Sequence, residues 1–288
     1  MPLGAARFAL QGGALEPLEG TFFAVAGGGG AGGNHPRSAP LTQPGGGGGA
    51  GGLLSDNDSG ISLASFATAT TYAISTGAGG SGGGGDPGQA GSVGSDTTWN
   101  DATNGTLTLK GGGFGGGGEP SGSNGHGGDG GSGGGAGTLG YSGGNALSLT
   151  PSQGNDGGDD TNRYFQSSGG GGKSGAGGDS TANGGAGGAG FTWVDSVERA
   201  LGGRGADRNN STENSTGAQS VSDGTGNGGA SRHNSHFSGL RGSNGGCGIR
   251  FPDVYTISNP GGGLTITTST AGGLTTAIIT GTGNIQFD

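Results

Sequence analysis

Glycine arrives in blocks along this chain, at 27–33, 45–52, 77–85, 111–118, 125–137, 169–178, 184–190, 224–229 and 242–248. Such a block is a poor α-helix, because each glycine costs about 1 kcal/mol relative to alanine there. It also brings no side chain to a core. Leu, Ile, Val and Phe together supply 41 of 288 residues, about 14%, below the roughly 20% at which an ordinary core becomes doubtful. Order must come from dense backbone hydrogen bonding, which glycine permits because no Cβ holds neighbouring backbones apart.

Collagen is excluded, since a triple helix needs glycine at every third position without interruption, and Ser62–Thr76 and Arg232–Arg241 break any such period. Disorder is excluded by the segments between blocks. Leu63, Phe66, Tyr72 and Ile74, then Leu107 and Leu109, alternate in part as in half-buried strands. Thr21–Ala26 reads as a strand entering the first block, and Ile249–Tyr255, Leu264–Thr270, Leu274–Thr280 and Asn284–Phe287 read as four short closing strands, with turns at 260–263 and 271–273. The blocks themselves suit an extended threefold helix of the polyproline II type, rising about 3.1 Å per residue. Side chains inside a block, such as Ala31, Ala50, Ala78, Ser132, Ala136, Ala176 and Ala186, are then expected at the edges of the stack.

Eleven Lys and Arg against 20 Asp and Glu leave a charge of −9 with no basic block, which argues against nucleic acid or an anionic membrane as partner. The apolar stretches near 22–26 and 277–279 are too short for membrane insertion, and Met1–Arg7 carries no charged-then-apolar export pattern. Cys247 is the only cysteine, so it forms no intrachain disulfide and reads as a small buried residue.

Several short motifs resemble known sites and lack their context. Gly172-Lys173-Ser174 ends like a phosphate loop, but Ser167 stands where the first glycine is needed. Asp56-Asn57-Asp58 begins like an EF-hand loop, but its downstream Glu is missing. His233 and His236 lie in a segment without helical period, which argues against a metal pair. No cofactor, metal or enzymatic activity is implied.

The run Phe22–Gly33, the block Gly45–Gly52, the segment Thr71–Gly80 and the closing Gly245-Gly246-Cys247-Gly248-Ile249-Arg250-Phe251-Pro252 resemble the glycine-rich domain of bacteriophage tail-fibre and virion appendage proteins. The resemblance covers about residues 20–252, with Cys247 standing where a small residue such as Ser is more usual and with few blocks in 191–241. It implies a sandwich of polyglycine II helices, as in the tip adhesins of T-even-like phages. The expected fold is therefore mainly irregular and β, almost without α-helix. Residues 1–20 would dock on another virion protein, 21–248 would form the sandwich, and 249–288 a small β module. The implied function is host attachment from the virion exterior through loops between blocks, the receptor being a glycan or an outer-membrane protein. A capsid decoration protein with an assembly role is the alternative, and either a monomeric tip or a homotrimer is compatible.

If blocks run strictly up and down, segments 34–44, 86–110, 138–168, 191–201 and 231–241 share one end. Those segments carry His35, Arg37, Trp99, Asn100, Arg163, Tyr164, Phe165, Arg232, His233, His236 and Phe237. Rings and forked donors of this kind dominate recognition surfaces, and rigid scaffolds present their functional residues on loops. The competing expectation for Trp99, Trp193, Tyr72 and Phe191 is that they cover the sides of the stack.

Overall fold

Run 27–33 shows how a glycine block is held. Gly27, Gly30 and Gly33 donate their N–H groups to the carbonyls of Ser95, Ser92 and Gln89, Gly28 and Ala31 to Ser243 and Leu240, and Gly29 and Gly32 to Gly49 and Gly46, at 2.8–3.1 Å. Every third residue turns to the same neighbour, so the run has three residues per turn, as expected of a polyglycine II helix. Its carbonyls accept from 111–118, 77–84 and 225–232 in the same rotation. Six runs thus surround it, three taking its amides and three its carbonyls. Run 45–52 is enclosed likewise, donating to 111–118, 167–173 and 225–232 and accepting from 27–33, 132–138 and 200–206.

The structure, a computed structural model, describes residues 20–36, 42–58, 66, 68–101, 105–118, 123–161, 165–180, 184–206, 222–232 and 238–288. Among them the one helical turn is the 3₁₀ turn Ser123–Gly125, and no helix is long and apolar enough to cross a membrane. The sterics of the stack explain its composition. A Cβ on Gly48 would lie on the carbonyl oxygen of Gly29, and one on Gly115 on that of Gly46. Ala78, Ala176 and Ala186 are exposed at edges as expected. Ala31, Ala50, Ser132 and Ala136 are not, being fully buried, so the interior accepts the smallest side chains at a few positions.

Glycine-poor runs also join the stack. In 89–96, Gly94 is buried while Ser92 and Val93 face solvent, yet the run accepts N–H groups from 27–33. Runs 141–147, 153–160 and 175–180 behave similarly, because at an edge only the inward-facing positions must be glycine or small. Carboxylates complete these edges. The amides of Gly140, Gly143 and Ala146, three residues apart, donate to Asp160, Asp159 and Asp156 of the next run. Asp129 takes the amide of Asn145, Asp179 that of Asp159, and Asp96 that of Gly111. Each stands where a further run's carbonyl would be, satisfying an otherwise open donor.

The strands are β1 (Thr21–Val25), β2 (His35–Pro36), β3 (Thr42–Gln43), β4 (Leu53–Ser55), β5 (Thr71–Ser75), β6 (Thr97–Asp101), β7 (Gly105–Leu109), β8 (Phe191–Thr192), β9 (Glu198–Arg199), β10 (Gly246–Pro252), β11 (Ile257–Ser258), β12 (Leu264–Ala271) and β13 (Leu274–Phe287). All but the β2–β3 pair close one end of the stack. Nine form one sheet in the order β4-β1-β10-β13-β5-β6-β7, with β11 and β12 also on β13. The two expected strands at 274–280 and 284–287 are one continuous strand. Its first half pairs with β10 and β12 and its second half with β5, so Gly281 and Gly283 do not end it. The boundary expected at 248/249 falls inside β10, whose pairing with β1 joins the C-terminal strand module to the stack.

On one side of this sheet Phe22, Trp99, Tyr72, Ile74, Ile249, Phe251, Ile279 and Phe287 form the main apolar cluster, with Cys247 fully buried among them. Burial pushes the Cys247 thiol far up, so it stays protonated. On the other side the β8–β9 hairpin packs Trp193 edge-on to Phe23, 4.8 Å between centroids, and lays the Arg199 guanidinium 4.2 Å from the Phe23 ring. Arg199 also grips Asp195 with two bonds of 2.9 and 2.6 Å. Burial alone would raise the Asp195 carboxyl, but the Arg199 hydrogen bonds and charge, together with the Val197 amide, outweigh it and hold the group below its ordinary value.

Two outcomes follow from this packing. Gly48→Leu and Gly115→Leu each remove the cooperative thermal transition, whereas Gly84→Ala, whose Cβ would meet only the Gln89 side chain, 3.3 Å away, changes stability by less than about 1 kcal/mol; circular dichroism melts decide this. Because Asp195 is depressed in the folded state, its contribution is present above the unfolded carboxylate value and disappears as pH falls through the folded one. Denaturant titrations of wild type and Asp195→Asn therefore differ at neutral pH and converge in acid.

Candidate functional site

The runs leave the sheet end, turn at the far end and return, and hydrogen bonds tie several of those far turns together. Asn34, 1% exposed, donates Nδ2 to the Arg232 carbonyl at 2.7 Å and accepts the Gly45 amide at Oδ1, 3.1 Å. Ser167 donates Oγ to the Gly45 carbonyl at 2.6 Å and accepts the Ala206 amide at 2.9 Å. Ser231 donates its amide to Arg204 at 2.9 Å, closing a ring through five segments of the chain. Gly88, in the 85–88 turn, lies against His35.

This ring brings His35, Phe165 and Arg232 to one end. His35 is half-buried in the β2–β3 hairpin, Phe165 half-buried beside Ser167, and Arg232 exposed with no ion-pair partner among the described residues. Arg37, Arg163, Tyr164, His233, His236 and Phe237 lie outside the described residues, in segments whose described flanks, 36 and 42, 161 and 165, and 232 and 238, are all at this far end.

Trp99 and Asn100 do not belong to the site. Both lie on β6 at the opposite, sheet end, and Trp99 is 1% exposed, packed edge-on to Phe22 at 5.4 Å. The Phe191–Trp193 segment is also at the sheet end, over Phe23. Strict alternation of blocks fails because the glycine-poor runs each cross the stack once more. Segment 86–110 thus contains a far turn, a returning run and the β6–β7 hairpin.

Two side chains at the far end went unnoticed in the sequence. Gln43 is 1% exposed, and neither its amide nitrogen nor its oxygen finds a partner among the described residues. Its cross-strand neighbour His35 has a buried Nδ1 that is likewise unpartnered among the described residues. Unspent capacity of this kind is costly in a stable interior and calls for an explanation. The one signal in the sequence was a polar pair flanking the Arg37–Leu41 segment ahead of a glycine block.

Elsewhere the motif-like groups have structural partners. Lys173 bonds Asp58 at 2.7 Å and the Ser152 carbonyl at 2.9 Å, and Asp58 also accepts the Ser55 amide. Asp56 accepts the Phe22 amide. No group of three or more His, Cys, Asp or Glu stands ready for a metal among the described residues.

Fold and site together define a class, a stack of threefold glycine runs sealed by a sheet at one end and presenting turns at the other. Residues 17–255 match the family described as a glycine-rich domain, and the chain belongs to that family. Comparison with curated proteins finds no match.

Trp99→Ala costs about 3–5 kcal/mol of folding stability, as a cavity under the sheet should, while Arg232→Ala shifts it by no more than about 0.5 kcal/mol. Chemical denaturation of the two variants separates a core side chain from a surface one.

Proposed function

We propose that this chain is a bacteriophage virion protein, a tail-fibre or fibre-tip adhesin that binds a host-cell receptor through its far end. The observation that carries the reading is the polarity of the fold. Gly20 and Asp288 both lie at the sheet end, Gly20 against Arg250 and Asp288 against Thr256. A carrier attached through the segment before Gly20 would leave the opposite turns outermost. Those turns hold His35, Phe165 and Arg232, and they flank the segments of Arg37, Arg163, Tyr164, His233, His236 and Phe237.

The role is one of binding, without a cofactor or a catalytic step. Rings stack on sugars or apolar side chains, and guanidinium forks pair with carboxylate or phosphate on the receptor. The bonded ring of Asn34, Gly45, Ser167 and Arg232 pre-organises these turns, which lowers the ordering cost of association.

Labelled full-length protein is expected to bind host cells saturably and to be displaced by unlabelled protein. Replacing His35, Arg37, Tyr164, Phe165, Arg232 and Phe237 together by Ala should weaken that binding at least about 100-fold, as loss of two or more hot-spot residues does, with an unchanged melt. Saturable binding by wild type that survives this replacement would place the receptor contacts elsewhere. Folded protein that binds no host cell would transfer the assignment to capsid decoration.

A further inference from the structure

The chain finishes its edges with care, and one long edge is left unfinished. Carboxylates take the outward amides of the stack at 96, 129, 156, 159, 160 and 179. The outer side of β4 is covered by Gln153, whose carbonyl takes the Leu53 amide. Among the described residues β12 has no such cover. It pairs with β13 along all eight residues, Leu264 with Gly281 through Ala271 with Leu274, and with no other strand among the described residues. Alternate residues of an antiparallel edge strand turn their N–H and C=O groups away from the partner. Among the described residues only the Leu264 carbonyl of these is taken, by Asn259 Nδ2 at 3.0 Å.

Natural sheets protect such edges with charge, proline, a bulge or shortness. β12 has none of these. Its sequence, Leu-Thr-Ile-Thr-Thr-Ser-Thr-Ala, is uncharged, and no charged residue occurs between Val254 and Phe287 in a chain of net charge −9. Thr265, Thr267, Thr268, Ser269 and Thr270 are all exposed, and β-branched threonine suits a paired strand. The Gly272–Gly273 turn, with φ of +62° and +78°, ends the hairpin tightly and leaves the edge unobstructed.

We infer that β12 pairs antiparallel with β12 of a second copy of this chain, joining two sheets across a two-fold axis. A two-fold contact sets the same surface against itself. For most of this acidic surface that would bring like charges together. At β12 it brings threonine against threonine, a favourable cross-strand pair without repulsion. The result is a dimer, where the sequence suggested a monomer or a trimer, and it stands independently of what the far end binds.

Analytical ultracentrifugation of the full chain tests it. Wild type at micromolar concentration should sediment at twice the 26.8 kDa of one chain. Thr268→Lys, which sets lysines face to face near the axis, should return it to one chain with an unchanged melt, and Thr268→Val should remain dimeric. A wild type that stays at 26.8 kDa throughout, or a Thr268→Lys variant that still dimerises, overturns the inference. Should the lysine variant fail to fold, hydrogen exchange on wild type decides instead. Protection of the outward β12 amides must rise with protein concentration, and concentration-independent exchange there refutes the pairing.

Discussion

Everything in this molecule depends on the amide-to-carbonyl bond being made sideways, to three neighbours in rotation. In a helix or sheet the ladder runs in one or two directions, and side chains fill what remains. Here the backbone of 27–33 or 45–52 uses all directions, and no room remains for anything but hydrogen or an occasional methyl. The stack is therefore a core built of main chain. The side-chain core is small and lies at the sheet end, where Phe22 and Phe23 of one strand point to opposite faces and each meets a tryptophan.

The same rule explains the charge of the protein. A lattice of this kind has no intrinsic width, since its outermost run offers the same donors as its innermost. Aspartates at 129, 156, 159 and 160 end it by occupying those donors with side chains. Part of the acidic excess is thus architectural. It marks where the stack stops, and it keeps one stack from continuing into another.

Much of this was legible in the residues, and the failures share a cause. Blocks such as 27–33, 45–52 and 111–118 declare themselves because a run enclosed on every side needs glycine nearly everywhere. Runs 89–96 and 153–160 hide because an edge run needs small residues only where it faces inward, so they read as loops. Each hidden run reverses the direction of all that follows. That is why Trp99 and Phe191, expected by block counting to share an end with His35, Phe165 and Arg232, lie at the sheet end instead, while those three lie together at the far end. Gln43 was out of reach because its significance lies in the partners it lacks.

The two central runs also set the order of events in synthesis. They leave the ribosome well over a hundred residues ahead of Leu240 and Ser243, whose carbonyls receive the amides of Ala31 and Gly28. Pairing between residues so far apart in sequence gives a high contact order and slow folding. Until the last run arrives, the centre of the stack is a set of unanswered donors held in water. The nascent chain must therefore wait, extended and glycine-rich, with little apolar surface to tempt it into premature collapse.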